Sequence, residues 1–310
     1  MSVFILGSYA KALVMTAERI PLAGETLIGH DFRQTWGGKG SDMAVQAARL
    51  GADVAYSGVV GNDTFGNEFI ELMQEEGINI DALTLTSELP TGAGLIIKDK
   101  EGRNVIVVDM GANKLFTPAL VDNALQQLKN SHVVLAQLEI PLETALYGLR
   151  KAKALDKTTI LNPAPARDLR GRDLSAVDFL TPNETEARVA LGLAPDDPLS
   201  NREVADRLLE TGCRYVVMTL GEAGAAVYTA DTTLEIPPCL VDVVDSNGAG
   251  DSFNAALAVA LDEGKPVNEA VLFANATAAL CCSDWETVPS YKYRSDVDAW
   301  MQFNLSRRNP

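Results

Sequence analysis

The stretch DSNGAGDSFNAALAVAL, Asp245 to Leu261, decides how this chain is read. It joins a glycine turn, an acidic residue just beyond it and the start of a helix. Gly248 and Gly250 let backbone N–H groups converge on one point with no side chain in the way. Asp251 opens an apolar helical run of Phe253, Ala256, Leu257, Ala260 and Leu261. Loop amides and a helix N-terminus together suit anionic phosphate oxygens. A carboxylate that was only structural would repel phosphate there. It makes sense as a base that takes a proton from a hydroxyl attacking phosphorus. An aspartate in a first turn is also a dipole-favourable helix start, and the stretch alone leaves both readings open. Two generic nucleotide motifs are excluded. A dinucleotide fingerprint needs a third glycine where Phe253 stands, and a Walker A loop needs Ser or Thr directly after Gly38-Lys39, where Gly40 stands.

The chain has 310 residues, enough for one large domain or two ordinary ones, and 47% are hydrophobic, enough for a sizeable core. Its net charge is -16, with basic residues scattered, which disfavours nucleic acid and anionic membranes as partners. An acidic enzyme handling ATP must then concentrate positive potential locally, through metal ions and backbone amides. No stretch approaches the roughly 18 apolar residues of a membrane span. The run Val3-Phe4-Ile5-Leu6 lacks a basic flank and reads as a first strand, not a signal peptide. Cys213, Cys239, Cys281 and Cys282 show no C-x-x-C spacing; the adjacent pair reads as buried thiols, which suits a cytoplasmic location. His30 and His132 are the only histidines, so histidine-based nucleophile or metal chemistry is disfavoured, and His132 reads as a strand-edge residue.

Apolar β-rich runs at 3–6, 54–59, 132–138, 158–161, 179–180 and 215–220 alternate with helical patterns. The helical patterns cover 41–50, 65–76, 118–128, 142–155, 184–191, 202–210, 251–261 and 267–282. This alternation predicts a mainly parallel sheet with helices on both faces. Residues 26–36 are extended and mixed polar, and 92–97 with 104–109 read as a hairpin around Lys98–Gly102. The expectation is one domain over 1–310, with a small β-sheet lid built from about 10–36 and 90–112. Such a flap would exclude water from a transfer reaction; a purely structural insertion is the alternative. No internal repeat or interdomain linker is evident.

WGGKGSDMAVQAARLG (36–51) is a second glycine turn feeding a helix. LNPAPA (161–166), TPNETEA (181–187) and TLGEAGA (219–225) each follow an expected strand, where ligands bind in open α/β sheets. Together and in this order these motifs resemble the ribokinase-like (PfkB) family of carbohydrate kinases, over nearly the whole chain. The resemblance implies a three-layer α/β/α fold with a small β lid, ATP and Mg²⁺, and transfer of the γ-phosphoryl group to a hydroxyl of a sugar or sugar-like small molecule. It makes Asp251 the general base and the amides of Gly248, Ala249 and Gly250 the anion hole. Asn183 and Glu186 fall at positions that organise Mg²⁺-bound phosphates, Glu186 through water; capping roles are the alternative at this turn. Thr219, Gly221, Gly224 and Asn275 match nucleotide-binding positions. Gly38, Lys39, Asp42 and Glu139 match sugar-contacting ones, though Glu139 also suits a solvated strand end.

The chain departs from the family at the end of its first strand. The family continues Gly-Ser-x-Asn-x-Asp, whereas Gly7-Ser8-Tyr9-Ala10-Lys11-Ala12 has alanine at both sugar-gripping places. Residues two apart share a face of an extended segment, so one wall loses both contacts. Each lost partner is worth ~1–3 kcal/mol in discrimination. Asp42 stands where an Asn is expected. The acceptor is therefore expected not to be free ribose, but something bulkier, differently hydroxylated or amine-bearing. A nucleoside kinase on the same scaffold, or a sugar-binding regulatory protein with little turnover, are the alternatives. Asp245 and Asn247 match part of a K⁺-type cation loop, but Ser283-Asp284-Trp285-Glu286 departs from its glycine-containing half. Lid edges pairing between subunits would give a homodimer.

Overall fold

The structure, a computed structural model, describes residues 2–101 and 103–305. Gly102, in the expected hairpin turn, and residues 1 and 306–310, at the ends of the expected domain, lie outside the described residues. The strands are β1 (Ser2–Leu6), β2 (Ala10–Ala17), β3 (His30–Gly37), β4 (Asp53–Gly61), β5 (Asn79–Thr86), β6 (Gly92–Asp99) and β7 (Asn104–Asp109). They continue with β8 (Val133–Ala136), β9 (Thr158–Leu161), β10 (Phe179–Leu180), β11 (Tyr215–Thr219), β12 (Ala225–Tyr228) and β13 (Thr233–Ile236). A nine-stranded sheet runs β13-β12-β11-β10-β9-β8-β1-β4-β5, and a four-stranded sheet runs β3-β2-β6-β7. The large sheet is parallel except for β12 and β13.

Its central strands are apolar on both faces because both are covered. Val3 and Ile5 of β1 join one core with α1 (Lys39–Arg49), α2 (Thr64–Glu75), α8 (Ala249–Asp262) and α9 (Val267–Cys281). Phe4 and Leu6 join the other, with α3 (Pro118–Asn123), α4 (Leu125–Asn130), α5 (Leu142–Lys153), α6 (Glu184–Ala190) and α7 (Asn201–Leu209). The result is the expected three-layer α/β/α architecture.

Several local expectations change. The helix expected over 118–128 is two, broken at Ala124, whose amide caps the first. Only His30–Gly37 of the extended 26–36 stretch forms a strand. β5, the hairpin β12–β13 and a last helix, α10 (Arg294–Leu305), were not anticipated. β5 is an edge strand with polar Asn79 and Asp81 bonded to each other, which hides its pattern. The β12–β13 turn has neither glycine nor asparagine. The Thr229 hydroxyl closes it instead, accepting from Thr232 N–H at 3.0 Å. Cys281 is buried as expected but Cys282 is only half-buried.

The small sheet is attached at the carboxyl end of β1: the chain passes through Gly7–Tyr9 into β2 and returns from β3 into α1. The two passes touch. A Cβ on Gly40 would lie 2.2 Å from Ser8 N, so only glycine allows this crossing.

Candidate active site

Three helices are capped by their own side chains. Asp63 caps α2, and Asn183 and Ser200 form capping boxes with Glu186 and Glu203 at α6 and α7. The helices starting in the cleft lack such a cap, as do α3, α4, α5 and α9. α1 and α8 begin at Gly38 and Gly248 with no side-chain cap, which leaves their amide ends for other acceptors. At α1 those acceptors are internal. Glu139 Oε2 accepts from Lys39 N–H at 2.8 Å and from the Ser8 hydroxyl at 2.6 Å, and Gln137 donates to Ser8 Oγ at 2.8 Å. Glu139, expected as a sugar contact, thus also anchors the start of α1. At α8, Gly248 has φ +78°, and a Cβ there would lie 2.7 Å from Tyr291 Oη. Of the three expected anion-hole amides, Ala249 N–H turns back to Ser246 O at 3.3 Å.

This turn separates two cavities. The smaller, about 210 Å³, gathers Gly38, Lys39, Asp42, Glu139 and Asp251 against Ala10 and Ala12 of the small sheet. The larger, about 620 Å³, gathers Thr219, Gly221, Gly224 and Asn275. Asn247, Gly248 and Asp251 face the first and Ser246, Ala249 and Gly250 the second, so one short segment serves both. Asn183 pairs with Thr219 as an isolated parallel bridge. Asn275 donates to Pro237 O at 3.3 Å. Asp245 Oδ1 accepts from Asn247 N–H at 3.0 Å.

The small-sheet wall is set by register. Ala12 lies between Thr35 of β3 and Gly94 of β6, and Gly94 lies opposite Val108 of β7. The next row carries Val14, Ile96 and Ile106. It is a mainly apolar face.

The opposite wall is charged. Asp251 is 6% exposed, with Lys39 Nζ 3.7 Å from its Oδ1. Burial pushes its carboxyl up to about 6, Lys39 opposing and Glu139 and Glu186 assisting. The Asp251 charge in turn raises the Lys39 ammonium above its usual value. Asp42 is held well above the carboxylate range by burial, then by Asp251 and Glu139. Asp42 Oδ1, Asp251 Oδ1, Thr35 Oγ1 and Trp36 Nε1 are buried without hydrogen-bond partners among the described residues. All four residues line the smaller cavity. Buried polar atoms without partners mark where a ligand's polar atoms belong.

Sequence reasoning missed Ser8, Gln137, Thr35, Trp36, Lys98 and Glu286. The Ser8 hydroxyl, directly after a strand and a glycine, was the legible signal; Thr35, Trp36 and Lys98 depend on strand register, and Gln137 and Glu286 on long-range loop packing.

A hydroxyl held in the smaller cavity would meet a buried carboxylate across a glycine turn from the larger cavity. This arrangement, on this fold, defines a phosphotransferase with an alcohol group as acceptor. The family model described as pfkB family carbohydrate kinase matches residues 2–292, and the chain belongs to that family. It is 36% identical over 301 residues to a ribokinase from Mus musculus, covering 96% of this chain and 93% of that protein. It is 32% identical over 307 residues to a deoxyribokinase from Salmonella typhi, covering 98% of this chain and 100% of that one. Its fold superposes on the structure of Arabidopsis thaliana ribokinase complexed with ribose and ATP with a TM-score of 0.88 and 28% identity, covering 97% of this chain and 99% of that one. Among the described residues no helix is long and apolar enough to cross a membrane.

Proposed function

We propose that this chain transfers the γ-phosphoryl group of ATP to a hydroxyl of a sugar-like acceptor other than free ribose. The observation that carries the reading is Asp251, buried at the partition between the two cavities with Lys39 Nζ 3.7 Å away. Asp251 takes the acceptor proton, Lys39 holds charge beside it, and Gly248 and Gly250 offer their amides to the transferring group. ATP fits the larger cavity, whose exposed Leu240 and Val243 would be covered by its base. At α6, Glu186 commits Oε2 to Asn183 N–H, which leaves Oε1 to hold a water of a phosphate-bound Mg²⁺. Bound there, Mg²⁺ would neutralise phosphate charge.

The named relatives act on ribose and deoxyribose, so the case against free ribose rests on the wall formed by Ala10, Ala12 and Gly94. No carboxylate or amide side chain stands there to grip a hydroxyl, and the apolar row suits an apolar group. That row is also what favours a nucleoside as a second reading. An ADP-release panel over pentoses, deoxy sugars, polyols, amino sugars and nucleosides tests both. We expect the highest kcat/KM with an acceptor that carries fewer hydroxyls or an apolar group on that side. Ribose ranking first would overturn the acceptor reading; ligand-induced thermal shifts without ADP would favour a binding protein. The small sheet serves as lid and as dimer face in this reading, its edge strand β7 exposed at every residue. Light scattering of the purified chain checks the dimer.

A further inference from the structure

The segment that matches part of a monovalent cation loop, at Asp245 and Asn247, meets the segment at 283–286 that departs from it. Glu286 N–H donates to Asp245 Oδ2 at 3.3 Å, and Val244 and Asp245 N–H donate to Cys282 O at 2.8 and 3.2 Å. Glu286 takes the left-handed conformation, φ +69°, that a glycine would otherwise fill. The Asp245 donor set, however, does not suit a hard cation. Oδ1 faces Asn247 N–H, Oδ2 faces Glu286 N–H, and an ammonium is already present. Lys98, from the end of β6, places Nζ 3.8 Å from Asp245 Oδ2 and 5.6 Å from the centre of the Trp285 ring. The Asp245 side chain is 9% exposed and that of Lys98 22%. A second basic residue of the small sheet repeats the pattern: Arg33 lies 3.4 Å from Glu286 Oε1.

We propose that the Lys98 ammonium does here what a dissociable monovalent cation would otherwise do. It neutralises Asp245 and holds the segment that presents Gly248–Gly250 to the phosphoryl group, which makes Lys98 a positioning residue for the transfer. The physical reason is the burial of Asp245. A mostly buried carboxylate needs a countercharge, and one tethered to β6 is always present, whereas K⁺ must be captured from solution. The Trp285 face adds a site suited to an ammonium. Because Lys98 belongs to the small sheet, order in the anion-hole turn depends on where that sheet sits.

The inference rests on the kinase reading for its rate predictions but not for its structural ones. Without substrates, we expect wild-type protein to show the same melting temperature and the same hydrogen-exchange protection of 244–250 in K⁺ and Na⁺. Lys98→Met should lose protection in that segment and gain a melting-temperature rise specific to K⁺ or NH₄⁺. With any acceptor that turns over, Lys98→Met should lower kcat about 10–100-fold with a smaller change in the acceptor KM, by loss of one preorganised electrostatic contact. K⁺ or NH₄⁺ should restore part of that rate, and Lys98→Arg should keep most of it. Stimulation of the wild type by K⁺ over Na⁺, or a Lys98→Met protein with wild-type protection, would overturn the proposal. If no acceptor is phosphorylated the kinase reading fails, while exchange and melting still decide the role of Lys98.

Discussion

The two walls of the acceptor cavity are built on opposite principles. On the large-sheet side, Asp251, Asp42, Glu139 and Lys39 crowd together, and burial and neighbouring charge shift Asp251, Asp42 and Lys39. On the small-sheet side, Ala10, Ala12, Gly94, Ile96 and Val108 present hydrocarbon, and the polar atoms come from Thr35, Trp36, Lys11 and Lys98 around them. The charged wall is the costly one: a buried carboxylate that stays ionised is paid for by the rest of the fold. Such strain persists where chemistry needs it. The apolar wall is undemanding and free to vary with the acceptor. In the proposed function, chemistry and specificity fall to opposite walls.

The largest test falls on the charged wall. Asp251→Asn keeps the shape and removes the base, so kcat should fall by ~10²–10⁴, the range of a positioned acid–base group. ATP affinity, read by fluorescence or calorimetry, should change little, because the nucleotide cavity takes none of its lining from this side chain. Turnover near the wild-type rate would break the comparison, since the costly wall would then have no chemical reason to exist.

How much of this was legible in the sequence divides along the same line. The charged wall hangs on glycine turns at helix starts, and these are local: GGKG and NGAGD announce Gly38, Lys39, Gly248 and Asp251 without knowledge of the sheet. The fold was legible for a similar reason, because doubly covered strands such as VVLA at Val133–Ala136 are apolar throughout. What stayed hidden is set by register and long-range packing. Thr35 faces the cavity only because it pairs with Ala12, and Lys98 reaches Asp245 across 147 residues of chain only because β6 lies beside β2. The capping role of Glu139 is a contact over a separation of 100 residues, which no local pattern announces. At Asn183 and Glu186 the capping reading and the phosphate reading are not rivals: the reciprocal cap fixes Glu186 where its charge acts on Lys39 and Asp251.

The next test sharpens the comparison from the other side. Ala12→Asp introduces a carboxylate into the apolar wall, one cross-strand step from the unpartnered Thr35 hydroxyl. If that wall sets selectivity, kcat/KM for ribose should rise relative to the best acceptor by about 10–100-fold, one hydroxyl partner's worth of discrimination. Wild-type selectivity in this variant would move specificity to the charged wall.

The smallest effect is also the most diagnostic of charge. With the Asp251 carboxyl raised from its ordinary 3.8 to about 6, kcat/KM should fall about tenfold per pH unit below that point, as the base becomes protonated. Lys39, shifted upward, stays charged throughout and contributes no basic limb in this range. Stability should respond with the opposite sign. A group whose pKa is raised on folding favours the folded state when protonated; that stability is full below pH 3.8 and is lost as pH rises through about 6. At pH 8 wild-type protein therefore carries the full penalty of an ionised buried Asp251, ~3 kcal/mol at most by the conversion of pKa to free energy. Asp251→Asn removes it. The inactive variant should melt above wild type at pH 8, with the gap closing toward pH 4.5. A variant that melts below wild type at pH 8 would mean that the Lys39 pair outweighs the burial of the charge, and that the charged wall is held together by its ions and not strained by them.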